Sequence, residues 1–448
     1  MFYRIAGSVF LGVFFVTLSL FSIDLDYNSA LEIAYQNNAD ILQLEKDFRI
    51  AKFELDYGFA NMFYPSIKAS GSYTYQGSSD NGSIRTVKQE DGIVELTNYT
   101  YSDSYSLSVS LNKTLFDGFQ NYNTFRTKKV NYTLSERKLY DKKKEIKLNL
   151  LSSFFKVLLL QSNIETLKLS MELSSNQILE ALQKFNLRQA TQIDVNKAKL
   201  SYQQSYLKLL EAQHNYEKEK LNLSSLLGLT NGEDINIKNK FYDIESCIKL
   251  GEGDLNPEKI INSSLSNDIT YFTYECNIEN ERLNGKTLEW SRFPSISAGI
   301  NYAYSYERDR NTLDLKSWQG SWSIGLNASL PLDALLPNSS IDSQISVSKE
   351  NLKKYLLQKE AYEKSLQNTV RSYFLDFKYN KELLENQKMN LQIAGENFNL
   401  AKKQKELGRI KEIDFITSEI AYLQAKNDYE SAYYDYYMVL AKIERMIE

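Results

Sequence analysis

One histidine, two cysteines and five prolines stand in 448 residues, and each scarcity excludes something. With His214 as the only imidazole, no multi-histidine metal centre can form, and no nucleophile motif stands beside it. Cys247 and Cys276 allow at most one bridge, so a disulfide framework is excluded, and a bridge or two separate thiols both remain open. Five prolines and 18 glycines are few for the turns of an all-β chain, so most of the molecule outside any strands must be helical. A formal charge of −4 lacks the basic footprint of a nucleic-acid binder. Gly285-Lys286-Thr287 looks like the end of a phosphate loop, but Asn280 stands where that loop requires glycine, and no other cofactor motif is present. Long apolar runs are missing beyond the N-terminus: the richest, Leu148 to Leu160, is interrupted by Asn149, Ser152, Ser153 and Lys156 and is too short to cross a bilayer as a helix. Residues 1–22 read as a secretory signal, with Arg4 ahead of the apolar run Ile5 to Phe21 and a polar start at Asp24. Export without a helical span points to periplasm, outer membrane or medium.

What the chain does have is alternation. In the stretch from Tyr64-Pro65 to Tyr75, Ile67, Ala69, Gly71, Tyr73 and Tyr75 share one face while Ser66, Lys68, Ser70, Ser72 and Thr74 share the other. The pattern returns after Phe293-Pro294, with Ile296, Ala298, Ile300, Tyr302 and Tyr304 as the apolar set. Each copy has a second strand. Tyr105, Leu107, Val109 and Leu111 alternate with serines and Asn112, and Trp322, Ile324, Leu326, Ala328 and Leu330 alternate with Ser321, Ser323, Gly325, Asn327 and Ser329. One apolar face and one small polar face, with tyrosines and tryptophans toward the loop ends, is the pattern of membrane strands with lipid on one side and water on the other. A soluble sandwich with one wet face is the plainer alternative.

Between the hairpins the period changes to that of helices. A first helix is expected from Asn28 or Ser29 through Met62, closed by Pro65. Residues 77–104 read as a long polar hairpin loop. From Phe119 to Phe185 there is neither proline nor glycine, which predicts one helix of roughly 100 Å. Such a helix must run along others as a coiled coil or barrel wall. The pattern breaks over 186–191 and a return helix ends at Gly228. The second half repeats the plan with a long helix over 339–406, interrupted at Gly395, a break over 407–412 and a second return helix. With an offset of 220, Phe154 matches Phe374, Leu187 matches Leu407, Asp194 matches Asp414 and Tyr216 matches Tyr436. The expected organisation is therefore a first repeat over 23–228 with its hairpin at 65–115, an insert at 229–256, and a second repeat over 257–448 with its hairpin at 294–332.

Four strands cannot close a membrane barrel, and an open edge in lipid leaves backbone groups unpaired, so several chains must combine; counting does not choose between two, three or four. The duplicated Pro-Ser-Ile strand starts resemble those of the TolC-type outer-membrane efflux family. So do the exits Leu115-Phe116-Asp117-Gly118 and Leu330-Pro331-Leu332-Asp333, and the paired breaks Asn186-Leu187-Arg188-Gln189 and Glu406-Leu407-Gly408-Arg409, each with an Ile-Asp pair soon after. The resemblance covers the mature chain. It implies an α+β membrane protein forming a homotrimer, with a 12-stranded barrel at four strands per chain, a 12-helix periplasmic tunnel and an equatorial domain. The implied partners are a periplasmic adaptor, an inner-membrane transporter and outer-membrane lipid. On that resemblance Asp414, with Asp194 in the matching place of the first tip, marks the pore constriction. Phe185, Leu187, Arg188, Leu407, Gly408 and Arg409 would then meet the adaptor. The implied activity is passive conduction in a tripartite efflux or type I secretion system, with no cofactor, no metal and no enzymatic step. The plainer reading of the two aspartates is that they are solvated or cap a helix. A coiled-coil scaffold or adhesin held at the surface by its hairpins is the alternative function.

Overall fold

The computed structural model describes residues 23–77, 84–89, 92–97, 101–229, 235–237, 241–250, 256–309 and 318–448. The expected signal at 1–22 lies outside them. In chain order the elements are β1 (Ile23–Leu25), α1 (Tyr27–Asn37), α2 (Ala39–Phe63), β2 (Ser66–Gly77), β3 (Ile84–Gln89), β4 (Gly92–Thr97), β5 (Tyr101–Phe116), α3 (Gln120–Asn186) and α4 (Gln192–Leu227). There follow β6 (Ile235–Ile237), α5 (Pro257–Asn267), α6 (Ile269–Trp290), β7 (Ser295–Asp309), β8 (Gln319–Ser329), α7 (Ser340–Glu406) and α8 (Glu412–Ile447). Both long helices have 67 residues and both return helices 36, and each pair is offset by 220.

The chain divides into two compact units, one of residues up to 45 with 138–269 and 363–448, the other of 46–137 with 270–362. The first unit has an apolar core around Phe154, Phe155, Leu150, Leu223, Leu227 and Ile244, with Leu25, Tyr27, Ala30 and Ala34 packed into it. A second cluster joins Ile260, Val370, Phe377, Tyr436 and Leu440. Within the insert, β6 pairs in parallel with β1. Near the end of α8, the buried Glu444 carboxylate accepts the backbone N–H groups of Lys249 and Leu250 at 2.8 and 3.2 Å, which fastens the insert to that helix. Among the described residues Cys247 and Cys276 form no disulfide.

The second unit is built around a four-stranded antiparallel sheet in the order β2-β5-β7-β8. Aromatic rings gather where its strands meet the helices: Phe59 lies 4.6 Å from Phe63, Phe119 5.0 Å from Trp290, and Trp290 4.9 Å from Phe293. The ion pairs Arg126–Glu279 and Lys128–Glu54, at 2.9 and 2.8 Å, join neighbouring helices.

Four sequence expectations are corrected. The first helix starts one turn earlier, because Asp26 and not Asn28 or Ser29 is its N-cap. It also breaks at Asn38, whose amide donates to the Leu226 carbonyl at 2.9 Å while its carbonyl oxygen accepts the N–H groups of Asp40 and Ile41. The helix expected over about 258–291, ahead of the second hairpin, also breaks, at Asp268, which holds an extended backbone at φ −66° and ψ 125°. Gly395 does not interrupt α7: the ring of Tyr422 packs against it, and a glycine without tertiary reason to bend stays helical. The stretch 77–104 is not all loop, since β3 and β4 form a hairpin of their own there.

Candidate functional site

The strand register turns the alternation into two continuous faces. Ala69, Val109, Tyr302 and Trp322 lie in one row across the four strands, and Ile67, Leu111, Ile300 and Ile324 in another. The opposite face carries the rows Lys68, Ser110, Asn301, Ser323 and Ser70, Ser108, Ala303, Ser321. The apolar rows are exposed in the single chain, Trp322 at 74% and Ile324 at 69%, which water makes costly and lipid does not. Strands of 12, 16, 15 and 11 residues are each long enough to cross a bilayer. Asp103, on the apolar side near the strand end, is buried and accepts a hydrogen bond from the Tyr73 hydroxyl at 3.0 Å. Among the described residues no helix is long and apolar enough to span a membrane, and no cluster of His, Cys, Asp and Glu could hold a metal ion.

The two helical tips follow the same backbone path. At the end of α3 the Arg188 N–H donates to the Phe185 carbonyl at 2.9 Å and the Gln189 N–H to that of Lys184 at 2.8 Å. At the end of α7 the Gly408 N–H donates to Lys405 at 2.9 Å and the Arg409 N–H to Gln404 at 2.8 Å. Both are paired terminal hydrogen bonds around a left-handed residue, Arg188 at φ 60° and Gly408 at φ 67°. This turn throws the side chain before it outward, so Leu187 is 68% exposed and Leu407 65%, while Phe185 in the last turn is less so.

The two aspartates differ. The Asp194 carboxylate accepts the Thr191 N–H at 2.9 Å and its hydroxyl at 2.8 Å, closing a capping box on α4. The hydrogen bond from the Thr191 N–H, then that from its hydroxyl, lowers the carboxyl pKa below its ordinary value of 3.8. The equivalent of Thr191 is Lys411, which makes no side-chain cap hydrogen bond, and the Asp414 side chain is exposed beside it.

Sequence reasoning missed Thr191 as the partner of Asp194, although threonine three residues before aspartate is a legible capping signal. It also missed what holds the second tip together. Phe398 stacks on Tyr422 at 5.4 Å and lies 5.7 Å from Phe415, and the Lys405 ammonium sits over the Phe415 ring at 4.0 Å from its centroid. Behind this cluster an open groove of about 610 Å³ runs along α7 and α8, lined by Ile393, Leu400, Ala401, Gln404 and Thr417 among others.

Comparison with known proteins agrees with these features. Several solved structures share the fold over nearly the whole chain. The outer-membrane channel OprN matches at a TM-score of 0.69 and 14% identity, covering 94% of this chain and 89% of that one. The Campylobacter jejuni CmeC outer membrane channel matches at 0.67 and 18%, covering 94% and 85%. The open state of the Neisseria gonorrhoeae MtrE outer membrane channel matches at 0.62 and 14%, covering 94% and 88%. No curated protein matches by sequence. The model of the family described as outer membrane efflux protein matches residues 30–229 and 291–447, which take in both hairpins of helices and much of both strand pairs. The chain thus belongs to the outer membrane efflux protein family.

Proposed function

We propose that three copies of this chain close a 12-stranded barrel in the outer membrane and continue it as a helical tunnel through which an inner-membrane transporter expels its substrates. The observation that carries this reading is the two-faced sheet with β2 and β8 at its edges. In lipid an unpaired edge leaves a row of N–H and C=O groups without partners, and pairing β8 of one chain with β2 of the next removes every edge at once. The small polar face then lines water and the apolar rows meet lipid. No residue constellation for catalysis enters this picture: the chain supplies a passage and the energy comes from elsewhere.

The exposed leucines of the tips, Leu187 and Leu407, form with Phe185, Arg188, Gly408 and Arg409 the surface for a periplasmic adaptor. Asp414, one per chain, becomes a ring of carboxylates at the narrow end and favours cations. The test is single-channel current from purified protein in a planar bilayer, with native mass measured on the same sample. A trimer that conducts supports the proposal. A monomer, or a trimer without current, overturns it and favours the surface scaffold.

A further inference from the structure

We infer that the connector from Leu330 to Pro337, between β8 and α7, is an anchor seated in membrane lipid at the helix end of the sheet. The inference rests on the reading of the sheet's apolar face as lipid-facing. The two repeats differ at this place. From Asn112, which pairs with the first residue of β2, to the start of α3 is eight residues; from Ser329, which pairs with the first residue of β7, to the start of α7 is 11. The left-handed residue ahead of the second long helix is Asn338, at φ 58°, as Gly118 at φ 63° is ahead of the first. What the longer connector adds is apolar surface.

Leu332 is 68% exposed, Leu335 57% and Leu336 62%, around a buried Ala334. The apolar stripe of β8, Trp322, Ile324, Leu326 and Ala328, is followed past the strand end by the exposed Leu330, Leu332, Leu335 and Leu336, so exposed apolar surface continues along the chain from the sheet into the connector. In the first repeat the shorter connector exposes Leu115 and part of Phe119, whose ring lies edge-on to Trp290 and Phe116.

The backbone suits the same place. Pro331 and Pro337 have no N–H to satisfy. The N–H groups of Ala334, Leu335 and Leu336 donate to the carbonyls of Pro331, Leu332 and Asp333 at 3.3, 3.1 and 3.2 Å, and that of Ser339 donates to Leu336 at 3.2 Å. Three of the six N–H groups from Leu330 to Pro337 are thus satisfied within the turn, which enters a layer poor in water at less cost than an open loop that satisfies none. Asp333 is the one charged residue between Leu330 and Asn338, and it can reach the headgroup layer.

The test is site-directed spin labelling of the trimer in phospholipid vesicles, with both native cysteines replaced by serine and native mass checked for each variant. Labels go on Leu335→Cys, on Leu326→Cys as the barrel reference and on Ser346→Cys as the aqueous one. The expected result is a ratio of oxygen to nickel-chelate accessibility at 335 that matches 326 and exceeds 346 several-fold. A water-like ratio at 335 with a lipid-like one at 326 overturns the anchor and leaves the barrel standing. A water-like ratio at 326 overturns the barrel reading too. A label at 335 shielded from both reagents means that protein covers the turn, which also overturns the anchor. With the native cysteines kept, Leu335→Trp emission should be quenched by acyl-brominated lipid as strongly as that of Leu326→Trp, and no added quenching would count against the anchor.

Discussion

At the first tip Arg188 takes a left-handed backbone that costs an L-residue roughly 1 kcal/mol, and a capping box between Thr191 and Asp194 holds the next helix. At the second, Gly408 takes that conformation freely, Lys411 caps nothing with its side chain, and three packed rings, Phe398 with Tyr422 and Phe415, join the helices instead. The backbone path is the same and its support differs. The difference teaches which aspartate is available for function. Both are exposed, but Asp194 is committed to the backbone of its own turn, while no capping box forms between Lys411 and Asp414 in the same place of the repeat.

The largest effect should come from removing what the tips share. Leu187→Glu combined with Gly408→Glu should abolish efflux in cells while the trimer keeps its native mass; unchanged drug resistance would show that the tips are not the adaptor surface. Next comes the contrast between the aspartates. Under a salt gradient, Asp414→Asn should shift the reversal potential toward zero and Asp194→Asn should leave it in place, because only the former carboxylate is free of its own helix. Equal shifts would erase the distinction.

Smaller and opposite effects should follow from the left-handed residues. Gly408→Ala should destabilise its turn by about 1 kcal/mol, with no atom within 4 Å to add a clash. Arg188→Gly should stabilise the first turn by up to a similar amount, and hydrogen exchange of the tip amides reads both. Thr191→Ala should cost about 1 kcal/mol of local stability at the start of α4. The smallest effect is with pH. The Asp194 carboxyl pKa is lowered in the folded turn, so its stabilisation is fully present above the ordinary 3.8 and is lost as pH falls through the lowered value. Exchange of the first amides of α4 should accelerate over that range in the wild type and not in Asp194→Asn.

The first long helix was legible to within a residue at each end, 119–185 against 120–186, because a run without glycine or proline leaves the local pattern unopposed. The strand faces were legible for a similar reason: a period of two admits one assignment of sides. The breaks at Asn38 and Asp268 were not, since neither position carries a breaker. Asn38 stops its helix with an amide turned to a carbonyl 188 residues away. The support of the second tip was equally hidden, because Phe398 lies on α7 and Phe415 and Tyr422 on α8, and they read singly as ordinary core positions.

By itself the sequence determined what short-range periodicity can encode: which residues share a strand face, where the long helices run, and that one unit is used twice at an offset of 220. Tertiary structure alone decided what depends on atoms brought together from afar. It set the row of Ala69, Val109, Tyr302 and Trp322 across four strands and the commitment of Glu444 to the insert. The physical reason is range: alternation and helical spacing act between residues a few positions apart, whereas register and packing are settled only when distant segments share a surface.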